Sequence, residues 1–77
     1  MTPELQMRWS TARYDELEAA AVERRRVALT RRGTEFVIIA LRVTMEPTES
    51  LVGLLPMTGE EMTFPLGEID GFHIVDR

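Results

Sequence analysis

His73 is the only histidine in the chain, and Asp70 and Asp76 stand three residues to either side of it. A histidine near carboxylates has the parts of a general base. It lies beside the C-terminus, however, with no nucleophile or second metal ligand at useful spacing, which makes it a surface strand residue. The chain has neither cysteine nor lysine, so thiolate and Schiff-base catalysis are closed. Ser10 and Ser50 stand where a helix cap and a turn are expected. Glu60 and Glu61 follow Gly59 in a turn that they solubilise. No metal or cofactor site can be assembled from these residues. The sequence predicts a protein that is not an enzyme.

What remains is charge. Arg24, Arg25, Arg26, Arg31 and Arg32 are five of the nine basic residues, gathered within nine positions. Such a run either contacts phosphates, as in an RNA-binding strand edge, or shields an exposed edge and pairs with nearby acids. No aromatic pair beside it offers a stacking platform, because Phe36 and Phe64 are expected in the core. That every basic residue is arginine fits either codon bias or bidentate anion contacts.

The acids are distributed differently. Residues 1–33 hold seven arginines against five acids (+2), and residues 34–77 hold two against eight (−6), which sum to the net −4. The balance argues against a general nucleic-acid binder. With Asp15, Glu16 and Glu18 on a helix, the acidic surface either mimics nucleic acid for a basic partner or simply keeps the protein in solution.

The elements that would position these groups must fit a 77-residue chain. One domain of this size buries roughly 60% of its unfolded surface. Without disulfides it depends on packing or on a partner. No apolar run approaches the ~20 residues of a membrane span, and the first nine residues lack the features of a signal peptide. A cytoplasmic protein without membrane association is expected. Residues 1–9 are expected to form a flexible tail, and residues 10–77 a helix plus a small barrel.

Ser10 or Thr11 can cap a helix running to about Val22, with Tyr14, Leu17 and Ala21 on its inner face. Val27 and Leu29 then alternate with Arg26, Ala28 and Thr30 in a first strand, with a continued helix as the competing reading. Arg32-Gly33-Thr34 turns the chain into the stretch Phe36-Val-Ile-Ile-Ala-Leu-Arg-Val43, which is too β-branched and apolar for anything but a central strand. Val37, Ile39, Leu41 and Val43 form its expected core face. Phe36, Ile38 and Ala40 lie opposite, to be covered by the helix or by a second copy in a homodimer. Strands at Leu51–Leu55, Met62–Leu66 and Phe72–Val75 follow, with Gly53 marking a bend or bulge and a 3₁₀ turn at Leu66–Ile69. One N-terminal helix and five short strands give a mainly β, small Sm-like or SH3-like five-stranded antiparallel barrel. An open antiparallel sheet is the alternative.

At Tyr14-Asp15-Glu16-Leu17-Glu18-Ala19-Ala20 the chain resembles the opening of the Rof family. These are small Sm-like proteins that bind transcription termination factor Rho and inhibit it. The family's alternating strand, Gly turn and long second strand are similar to Val27–Val43. Its Gly-Glu turn, fourth strand and Leu-x-x-Ile turn are similar to Gly59-Glu60, Phe64, Leu66 and Ile69. The similarity spans roughly residues 13–75. It implies an acidic face, including the helix, that occupies the primary RNA-binding site of Rho and so causes antitermination. The implied contact residues are Tyr14, Asp15 and Glu18, with Glu16 beside them. The arginine run departs from the family pattern, and docking on a basic site requires it to point away.

Overall fold

Residues 9–75 are described in the computed structural model. Helix α1 spans Thr11–Val22 and is followed by strands β1 (Arg26–Arg31), β2 (Thr34–Thr44), β3 (Ser50–Leu54), β4 (Glu61–Pro65) and β5 (Ile69–Val75). A 3₁₀ turn, Leu66–Glu68, joins the last two strands. All neighbours are antiparallel, in the order β4-β3-β2-β1-β5. The expected closure into a barrel is not present: β4 and β5 are the two edges, and no ladder joins them.

The sheet is nevertheless strongly curled. Phe64 pairs with Leu51, which pairs with Val43, so in a flat sheet Phe36 would lie seven residues away along β2. Strand rise would make that separation about 20 Å. Instead the Phe36 and Phe64 rings meet edge to face at 5.2 Å. The interior between the folded halves holds Val27, Leu29, Ile38, Ala40, Leu51, Phe64 and Phe72, closed from above by Leu17, Ala20 and Ala21 of α1.

Two local devices set this curvature. The β2–β3 register steps from Ala40 opposite Gly53 to Arg42 opposite Val52, leaving Leu41 as an extra, bulged residue. A bulge bends its strand and raises the local twist. Gly53 faces Ile38 so closely that a Cβ there would collide with the Ile38 side chain. A second register shift near Thr30 leaves Asp70 bulged in β5, where its carboxylate accepts from the Gly33 amide at 3.1 Å.

The bulge also corrects the expected core face. Phe36, Ile38 and Ala40 face the interior, with Ile38 and Ala40 completely buried, whereas Val37 is 46% exposed. Strict alternation would then turn Val43 outward, but the extra residue at Leu41 returns it to the core side. No second copy is needed over Ile38 and Ala40, because α1 packs against β2. The competing helical reading of Arg26–Thr30 is excluded by the β1 ladders.

Trp9 does not belong to a tail. Its ring stacks on Phe72 at 5.5 Å and its indole N–H donates to the Leu66 carbonyl at 3.1 Å. Residues 1–8 of the expected tail lie outside the described residues.

Candidate functional site

Helix α1 starts where Ser10 takes an extended backbone and its Oγ accepts from the Arg13 amide at 3.2 Å, which satisfies one of the donors that every helix start leaves unpaired. It ends with the Arg25 amide bonded to the Ala20 carbonyl and the Arg24 amide to Ala21. This is a Schellman arrangement, in which Arg24, at φ 55°, occupies the left-handed position glycine usually takes. The Arg24 guanidinium donates to the carbonyl of Leu41, the bulged residue. Helix end and strand bulge are therefore tied by one side chain.

Between these ends, Asp15, Glu16, Glu18, Ala19 and Val22 are exposed. The structure brings Tyr14, Asp15 and Glu18 together and adds Glu49 from the β2–β3 loop. The Tyr14 hydroxyl donates to Met45 Sδ at 3.6 Å. Desolvation, followed by the charges of Glu18, Glu49 and Asp15, pushes the Tyr14 phenol above its usual range. Among the described residues, no basic side chain pairs with Asp15, Glu18 or Glu49. Glu49 was not recognisable in advance, since it stands in a polar turn whose position relative to α1 depends on where β3 begins.

Glu16 is not part of this group. It pairs with Arg13 at 2.8 Å, and Arg13 also donates to the Phe72 carbonyl at 2.7 Å and lies 4.0 Å above the Phe72 ring centroid. Glu16 thus belongs to the β5 side of the helix.

The five arginines fall into two groups at opposite ends of β1, about 17 Å apart by strand rise. At one end Arg24 holds Leu41, Arg25 pairs with Glu23 at 3.1 Å, and Arg26 is exposed on the outer face of the sheet, between Ile39 and Val75. At the other end Arg31 and Arg32 both contact Glu68, at 3.2 and 3.6 Å. Only Arg24 borders the acidic side of α1.

Beside that side runs an open groove of about 660 Å³ between α1 and the second half of β2. Asp15 and Glu18 of the helix line it, with Arg24 just past the helix end and Arg42 on β2. His73 is exposed on β5 and Asp70 is engaged with Gly33, so the two do not form a catalytic pair. Among the described residues no group of three or more His, Asp or Glu could hold a metal ion, and no helix is long and apolar enough to cross a membrane.

Comparison with known proteins adds no relative. No family model, curated protein or solved structure matches the chain.

Proposed function

We propose that this protein acts by binding, presenting the acidic side of α1 to a basic surface on a partner protein. The observation that carries this reading is that Asp15 and Glu18 stand exposed on α1 beside Tyr14, and that neither they nor Glu49 has an ion-pair partner among the described residues. Uncompensated charge of one sign speeds encounter with an oppositely charged surface and sets its register. Met45, 60% exposed beside Tyr14, adds apolar area at the same place.

The partner class follows from the charge: a protein whose own ligand is an anion such as RNA. The resemblance of residues 14–20 to the Rof family makes Rho the first partner to test, with transcription antitermination as the consequence. An Sm-like fold, left open between β4 and β5, is the finer reading of the curled sheet and N-terminal helix. The arginine placement favours masking a basic site over binding RNA directly. Arg31 and Arg32 share one carboxylate at the far end of β1, and Arg24 is committed to a main-chain carbonyl.

The test is a binding measurement with purified Rho at two salt concentrations, paired with a nuclease-treated pull-down from bacterial lysate. Binding is expected to weaken with salt and to fall at least tenfold in the Asp15→Lys/Glu18→Lys double variant. Binding unaffected by the charge reversal, or recovery of RNA alone that disappears with nuclease, would sink the reading.

A further inference from the structure

Val22 closes α1 yet stands 83% exposed, an unusual place for a branched apolar side chain at the rim of a concavity. The groove beneath it lies between the helix, at Ala19, and Leu41 of β2. Its apolar lining is Ala19, Ala21, Leu41 and Val43, with Val22 at the rim.

The lips are charged, but unequally. Arg24 donates to the Leu41 carbonyl and keeps its charge, and Arg42 pairs with Glu61 at 3.4 Å. Asp15 and Glu18 pair with no basic side chain among the described residues. Counting Glu61 with its partner Arg42, three carboxylates face two guanidiniums here, a net −1, and Asp15 and Glu18 are the carboxylates without an ion pair. Exposed ion pairs alone contribute little to affinity, whereas an apolar anchor seated in a pocket and rimmed by polar contacts is how interfaces concentrate their energy.

We propose that the groove takes a short partner segment in which an apolar side chain is flanked by arginine or lysine. The apolar side chain sits on Ala19, Val22 and Leu41, and the flanking cations meet Asp15 and Glu18. This inference rests on the acidic-face reading and adds a sequence requirement to it: positive charge without an apolar anchor is not enough.

Two blocked hexapeptides of equal charge, RLRKLR and RGRKGR, test it against the full chain labelled with ¹⁵N. The leucine peptide is expected to shift the amides of Ala19, Val22 and Leu41 and to bind at least tenfold more tightly than the glycine peptide. Val22→Asn, at an exposed position, should reduce the leucine peptide to the level of the glycine one, and Glu18→Lys should abolish both. Equal binding of the two peptides, lost in Glu18→Lys, would overturn the anchored groove and leave the acidic-face reading standing. Binding of neither would overturn both. Shifts at the same amides on raising protein concentration alone would mean that a second copy fills the groove, which also overturns the proposal.

Discussion

Phe36 and Phe64 touch edge to face at 5.2 Å across the interior, although the strand ladder alone would hold them far apart. The contact is the clasp of the curled sheet, and Arg31 adds its guanidinium 5.8 Å from the Phe64 centroid. A 77-residue domain has a total stability of roughly 4–12 kcal/mol. Phe64 is fully buried, and truncating such a ring costs about 3–5 kcal/mol. Phe64→Ala should therefore remove a large part of the stability, and Phe64→Leu a smaller part. Urea denaturation of the two variants measures it.

Gly53 carries a second prediction. Its missing Cβ makes room for Ile38, so Gly53→Ala should destabilise by about 1–3 kcal/mol, the usual cost of overpacking. Ile38→Val removes the offending methyl, and the double variant should recover part of the loss. The thermodynamic cycle of the four proteins gives a coupling between the sites, and strict additivity would contradict the contact.

The β1–β2 hairpin predicts a gain. Arg32 and Gly33 are its two loop residues, with φ of 49° and 85°. That is the type I′ pattern, for which Asn-Gly is the preferred pair. Arg32→Asn should stabilise the protein by about 0.5–1 kcal/mol, because asparagine tolerates positive φ better than arginine. The exposed contact it gives up with Glu68 offsets little of this. A lower urea midpoint in the variant would contradict the assignment.

Tyr14 supplies a pH prediction. Its phenol is raised in the folded state, so folding favours the protonated form. This contribution is intact below the unfolded value of about 10 and is lost as pH rises through the folded pKa. Ultraviolet titration of the phenolate reads the shift directly. Desolvation is the largest cause, so Glu18→Gln or Glu49→Gln should lower the pKa only in part.

Element types were legible in the sequence because local chemistry decides them. Ser10 and the alanine run mark a helix, Arg32-Gly33 a turn, and Phe36–Val43 a central strand. The core face of β2 was not legible, since one extra residue at Leu41 exchanges the two faces partway along the strand, and alternation contains no sign of it beyond Gly53 on the neighbouring strand. The placement of Trp9 is hidden for a related reason. Its partners, Leu66 and Phe72, lie 57 and 63 positions away, and only tertiary folding brings them together. Of the candidate site, Tyr14, Asp15 and Glu18 follow from helical spacing. Glu49 and the departure of Glu16 depend on which neighbours the helix meets.

Arg13 pairs with Glu16, lies over the Phe72 ring and donates to the Phe72 carbonyl on the edge strand. A sheet left open at both sides is a template on which further chains can add, and a charged guanidinium seated against one rim interrupts that template. Arg13 is in this sense a gatekeeper. Its loss would matter less to the melting temperature than to how long a concentrated solution stays free of fibres.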